Sequence, residues 1–131
     1  MRLLIDTHVF LWIATEPFRL SERVRGMIAD ATSQLYLSHA SVWEISIKHK
    51  TGKLALPSEP ALWVPIRARR HLLTDFPIAI DHIFRAGGLP LHHRDPFDRL
   101  LVAQAQIEGL TLVTADVRLK AYDVPLIIAT E

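Results

Sequence analysis

The sequence predicts an α/β fold in which a parallel sheet is covered by helices on both faces. Three observations point there. Short apolar runs alternate with longer helical segments along the whole chain. The run at residues 2–5 is wholly buried in character up to an acid, as in a strand covered on both sides. The helical segments carry their own start and stop residues, the clearest being Asp95-Pro96 at one end and Gly109 at the other.

The elements follow in order. Residues 2–5 read as the first strand, and Val9 to Ala14 as a short helix ended before Pro17. Ser21 with Glu22 opens a second helix reaching about Ala31. Leu35 to Leu37 is a second strand, followed by a helix from about Ala40 to His49 with Gly52 where a C-cap is expected. After Pro60, Leu62 to His71 reads as a helix. Phe76 to Ile80 is assigned to a short strand, and Asp81 to the cap of a helix ending at Gly87-Gly88. Asp95 caps the next helix, Pro96 fits its first position, and Phe97, Leu101, Ala105 and Ile107 run on to Gly109. Leu110 to Val113 and Val124 to Ile128 are the last strands. No repeat, low-complexity tract or linker interrupts this pattern, and residues 1–131 read as one domain.

A chain of 131 residues, half of them apolar, is long enough to bury a core. It has no cysteine, which excludes disulfides and thiolate metal sites and fits a reducing cytoplasm. No apolar run approaches the roughly 20 residues needed to span a bilayer, and Arg2-Leu-Leu-Ile-Asp6 lacks a signal-peptide layout. The net charge of +1 does not establish nucleic-acid binding. Two basic groups stand out: Arg67, Arg69, Arg70 and His71, and then His92, His93, Arg94 and Arg99 around Asp98. In isolation each is an ordinary solvated face.

The acids carry the chemistry. Asp6 follows the first strand, and Asp116 follows Leu112-Val113 at the end of another. Ligand sites of open α/β sheets lie at that edge. Each acid could equally cap the helix or turn that follows it. Glu44 stands three residues after Ser41, a capping-box spacing, and four before Lys48, an i, i+4 ion pair. Its apolar neighbours Val42, Trp43, Ile45 and Ile47 leave little room for a wholly exposed face. Asp95 needs no role beyond its cap, whereas Asp98 sits in the first helical turn beside Arg99 and the histidines. Two acids after strands and two in first helical turns can all be aimed at one edge of the sheet. Gathered carboxylates repel and raise one another's pKa values unless a cation joins them. Oxygen donors select Mg²⁺ or Mn²⁺, and such sites most often handle phosphate esters.

The chain resembles the PIN-domain ribonucleases of the VapC-type toxin branch of toxin–antitoxin systems. The resemblance rests on Leu-Leu-Ile-Asp6-Thr7-His8, Ser41-Val-Trp-Glu44-Ile45, His93-Arg94-Asp95-Pro96-Phe97-Asp98-Arg99 with its continuation to Gln104, and Leu112-Val113-Thr114-Ala115-Asp116. It spans essentially the whole chain, and the Asp-Pro-Phe-Asp-Arg segment is its most specific part. It implies a PIN-like three-layer sandwich and an endoribonuclease that uses Mg²⁺ or Mn²⁺ to activate water. Asp6, Glu44, Asp98 and Asp116 match the metal-binding, catalytic acids, and Thr114 a hydroxyl that helps hold the site. Arg99 and the nearby histidines are expected to contact phosphate. The implied partners are an RNA substrate, single-stranded or looped, a small antitoxin that blocks the site, and a second copy in a homodimer.

Other functions fit less well. A receiver-type regulatory module needs paired acids after the first strand and a lysine near the last, but Asp6 stands alone and Val124 to Ile128 has no lysine. A haloacid-dehalogenase-type phosphatase wants a second aspartate where His8 stands. A non-catalytic PIN-like binding module would not need its acids intact.

Overall fold

The computed structural model describes residues 1–131. Five strands, β1 (Arg2–Ile5), β2 (Gln34–Ser38), β3 (Leu73–Phe76), β4 (Thr111–Thr114) and β5 (Leu126–Ile128), form one sheet in the order β3-β2-β1-β4-β5. Every pairing is parallel. Six helices connect or flank them: α1 (Thr7–Thr15), α2 (Glu22–Ala29), α3 (His39–Lys50), α4 (Pro60–Arg70), α5 (Ile80–Gly88) and α6 (Pro96–Glu108). Short 3-10 turns at Pro17–Arg19 and Val117–Ala121 complete the path. No helix is long and apolar enough to cross a membrane.

Successive residues of a strand point to opposite faces, and β1 shows why a near-continuous apolar run suits its central place. Leu3 and Ile5 join one buried cluster with Phe10, Val24, Ile45 and Trp63, from α1 to α4. Leu4 joins the other, with Leu101, Val102 and Ala105 of α6. The sheet is thus the middle of three layers. A polar tie joins the sheet to the α6 layer: Ser38, the last residue of β2 and the N-cap of α3, donates from its hydroxyl to Oε1 of the fully buried Gln104 of α6 at 2.6 Å.

The strand order fixes where a site can form. The chain moves outward from β1 through β2 to β3, then crosses back to β4 on the other side of β1. The connections diverge at the carboxyl ends of β1 and β4, which leaves a crevice there. Asp6 follows β1 and Asp116 lies two residues past β4.

Three expectations need correction. The third strand is Leu73–Phe76, not Phe76 to Ile80: Leu72 adopts a left-handed φ of 60° that ends α4 and turns the chain at once into β3, and Pro77 then ends the ladder. Without a glycine at the turn, the sequence carries no mark of it. Asp81 lies inside α5, whose N-cap is Ala79. Ser41 and Glu44 do not form a capping box, because α3 begins earlier, with Ser38 accepting from the Ala40 amide.

The left-handed turn gives a stability test. Leu72 is 81% exposed, so its side chain contributes little burial, while a left-handed φ costs an L-residue roughly 1–2 kcal/mol. Leu72→Gly is expected to raise unfolding free energy by about 1 kcal/mol in urea titrations. A loss of stability would show that the leucine side chain makes a contribution its exposure hides.

Candidate active site

Each acid reaches the crevice on a different element. Asp6 is the N-cap of α1, almost wholly buried. Its Oδ1 accepts from the Thr7 amide and its Oδ2 from the Thr114 hydroxyl, both at 2.6 Å. It is therefore cap and cleft residue at once. Glu44, on the first half of α3, is 3% exposed. Its Oε1 accepts from the Thr7 hydroxyl and its Oε2 from Lys48 Nζ, each at 2.6 Å. Asp98 follows the Asp95 cap in the first turn of α6, where Asp95 accepts from the amides of Phe97 and Asp98 at 2.8 and 3.4 Å. Next to these two acids, Trp43 and Phe97 pack edge to face at 5.3 Å and hold α3 against α6. Asp116 caps the 3-10 turn after β4 and accepts from the Arg118 amide at 3.0 Å. The Thr114 hydroxyl, already donating to Asp6, accepts the Asp116 amide at 3.1 Å and so ties the ends of β1 and β4 together.

All four acids line one open cleft of about 490 Å³, together with His8, Trp12, Lys48 and Arg118 among others. Behind its wall, the buried His93 lies against two of these acids, Asp98 and Asp116, and the potential ligand atoms of the three lie within 4.8 Å of one another. Asp6 and Glu44 form the deeper, drier wall.

The electrostatics differ sharply from acid to acid. Burial and the neighbouring charges of Asp6, Asp95, Glu44 and Asp116 push the Asp98 carboxyl up to about 8. Burial also raises Asp6, against the bonds from Thr114 and Thr7. Asp116 goes the other way. The Arg118 guanidinium grips it from both Nε and Nη2, at 2.8–3.2 Å, and holds it well below the usual carboxylate range, with a bond from His93 assisting. Burial lowers Lys48, but its bond and charge contact with Glu44 outweigh this and raise it overall.

Two expected roles are not compatible with this geometry. Arg99 does not face the cleft. It is 8% exposed, and its guanidinium donates to the carbonyls of Ala86, Leu89, Pro90 and His93 and to the Tyr122 hydroxyl, at 2.8–3.3 Å. Both of its terminal nitrogens are spent on these partners. His93 is also buried, with its ring spent on Asp116 and on the Asp95 amide, while His92 packs edge-on against Tyr122. Sequence reasoning missed Thr7 and Arg118. Thr7 carries a signal in hindsight, since a hydroxyl one residue after a strand-end acid can reach a second acid. Arg118 has the plainer one of a cation two residues after Asp116.

An open parallel sheet whose switch point is walled by carboxylates defines the class, an α/β protein with an acidic cleft at the carboxyl ends of its strands. The chain belongs to the PIN-domain family, whose model matches residues 3–125. Over 70 residues it is 39% identical to Ribonuclease VapC16 of Mycobacterium tuberculosis, a match covering 50% of this chain and 48% of that protein, so the aligned part spans about half of the curated relative. The fold is also that of VapBC2 from Rickettsia felis, solved with a promoter DNA fragment (TM-score 0.73, 17% identity, 98% of each chain). It matches VapBC-1 from nontypeable Haemophilus influenzae as well (TM-score 0.65, 16% identity, 100% of each chain).

Asp98 and Asp116 predict opposite pH behaviour without metal. A carboxyl raised in the folded state stabilises fully below its unfolded pKa, and that stability is lost as pH rises through the folded value. For Asp98 the window runs from about 4 to about 8. Asp116 is lowered, so its contribution is present at neutral pH and lost only in acid. In EDTA, melting temperatures between pH 5 and 8 are expected to fall more steeply for wild type than for Asp98→Asn. Asp116→Asn should melt below wild type at pH 7. Parallel melting profiles for wild type and Asp98→Asn would contradict the raised carboxyl.

Proposed function

We propose that the chain is a metal-dependent endoribonuclease that acts as the toxin of a toxin–antitoxin pair, with residues 1–131 working as one domain. The observation that carries this reading is the wall of four acids, Asp6, Glu44, Asp98 and Asp116, lining one cleft at the switch point of the sheet. Such a wall is electrostatically incomplete without a cation. The donor set is all oxygen, which fits Mg²⁺ or Mn²⁺. Asp6, Glu44, Asp98 and Asp116 would hold the ion, and each keeps a carboxylate oxygen toward the cleft or a lone pair beyond its present bond. When bound, the ion supplies acidified water and neutralises charge on the phosphoryl oxygens.

The protein's own residues do the rest. Thr114 and Thr7 fix the orientation of Asp6 and Glu44, which the buried wall needs because two free carboxylates there would turn apart. Lys48 balances Glu44. His8, Lys48 and Arg118 bring positive or protonatable groups to a cleft that would otherwise repel a phosphate backbone. The name of the curated relative, a ribonuclease, supports the assignment to RNA cleavage, and a toxin–antitoxin complex from Klebsiella pneumoniae with the same fold supports a toxin with an antitoxin. A small antitoxin that sets an Arg or Lys among the acids, and a homodimer of this chain, complete the proposal. A basic antitoxin residue suits the site because a guanidinium binds a carboxylate pair bidentately.

Cleavage of single-stranded RNA is expected with Mg²⁺ or Mn²⁺ and is expected to vanish in EDTA. Asp98→Asn should lose at least a hundredfold in rate, on the order expected for loss of a group that stabilises the transition state. Asp95→Asn should keep most of the activity, because asparagine caps a helix about as well as aspartate. Undiminished cleavage in EDTA, or an inactive Asp95→Asn beside an active Asp98→Asn, would overturn the assignment.

A further inference from the structure

The segment joining α5 to α6 is tied down far more firmly than a surface connection needs. Arg99 is a buried cation with no carboxylate against it. A buried charge is costly unless its donors are satisfied, and here all of its acceptors but one are backbone carbonyls of residues 86 to 93. The exception is the Tyr122 hydroxyl, which itself donates to the Pro90 carbonyl at 2.8 Å and accepts the His93 amide at 3.0 Å. Arg99 and Tyr122 thus hold the same strap from two sides, and the strap ends at His93.

The ring of His93 then has a single sensible arrangement. Nδ1 accepts the Asp95 amide at 3.0 Å, so in the neutral ring the proton belongs to Nε2, the tautomer its partners require. Nε2 faces Asp116 Oδ2 at 2.8 Å and Asp98 Oδ2 at 3.2 Å. Asp98 comes from α6 and Asp116 from the turn after β4, and no backbone pairing joins those two elements at this point.

We propose that His93 is a positioning residue whose Nε2–H bridges Asp98 and Asp116 and sets the separation at which the two carboxylates meet a cation, with Arg99 and Tyr122 acting through it. The inference rests on the reading of these acids as metal ligands. His93 is not itself a ligand: although it lies within 4.8 Å of both acids, a nitrogen bearing a proton has no lone pair for a metal. Partners of this kind that orient ligands change metal affinity by roughly 10–100-fold when removed.

Two half-replacements of the imidazole separate the roles. The side-chain nitrogen of glutamine sits where Nε2 does and keeps the donor to the acids. The oxygen of asparagine sits where Nδ1 does and keeps only the bond from Asp95. Mn²⁺ affinity of the full chain, read by electron paramagnetic resonance, is expected to fall at least about tenfold in His93→Asn and to stay close to wild type in His93→Gln. Both variants should keep the wild-type circular dichroism. The ¹⁵N spectrum of the His93 ring should show a protonated Nε2 both in EDTA and with Mg²⁺ bound. His93→Asn binding Mn²⁺ like wild type, or His93→Gln as weak as His93→Asn, would overturn the bridging role while leaving the metal site intact. Loss of the Nε2 proton on adding Mg²⁺ would make His93 a ligand and overturn it equally. A wild type that binds no Mn²⁺ would remove the metal reading and this inference together.

Discussion

Repulsion among carboxylates crowded at one edge of a parallel sheet governs the polar structure around this cleft. Each acid except one has been given a specific answer to it. Asp6 has the Thr7 amide and the Thr114 hydroxyl, and Glu44 has the Thr7 hydroxyl and Lys48. Asp116 has Arg118 and His93. Asp98 shares only the longer arm of the His93 bridge and lies deeper than Asp116, and it is the carboxyl that burial and its neighbours push up to about 8. The unmet demand is therefore concentrated on one residue, in the cleft that the other three acids also line.

The same repulsion explains why the surroundings are so densely hydrogen-bonded. Threonine hydroxyls at 2.6 Å orient the buried acids, and Thr114 couples the two strands that define the crevice. The Arg99 and Tyr122 contacts fix the strap that carries His93. Stability is given up at Asp98 and recovered around it, which is how functional sites commonly sit within stable folds. Asp116 shows the opposite balance. Its pairing with an exposed Arg118 satisfies the carboxylate, so a cation bound there would have to displace or share that partner.

Much of this was legible from residues alone. The alternation of buried strands and capped helices gave the layers, because β1 must be apolar on both faces and Asp95-Pro96 must begin a helix. Asp6, Asp98 and Asp116 were legible because each stands at or within a turn of an element boundary, whereas Glu44, inside α3, was marked by its apolar neighbours. What the sequence did not carry is instructive. The turn into β3 is made by Leu72 in a conformation usually left to glycine, so it leaves no compositional trace. The helix α3 begins at His39, one residue before the expected Ala40, but its cap was misread because Ser41 and Glu44 have capping-box spacing while Ser38 makes the bond. Arg99 looked like a phosphate contact because it is charged and adjacent to Asp98. One step along a helix turns a side chain by about 100°, and that step takes Arg99 away from the cleft into carbonyls more than six residues distant in sequence.

The central claim is that Asp6, Glu44, Asp98 and Asp116 form a single cation site. The most direct measurement is anomalous diffraction from a crystal soaked in Mn²⁺, collected above and below the manganese edge. One or two anomalous peaks between these four carboxylates, with Asp116 released from full contact with Arg118, is the predicted result. Peaks only elsewhere on the surface, with the Asp116–Arg118 pair and the His93 bridge unchanged and the cleft empty, would contradict it.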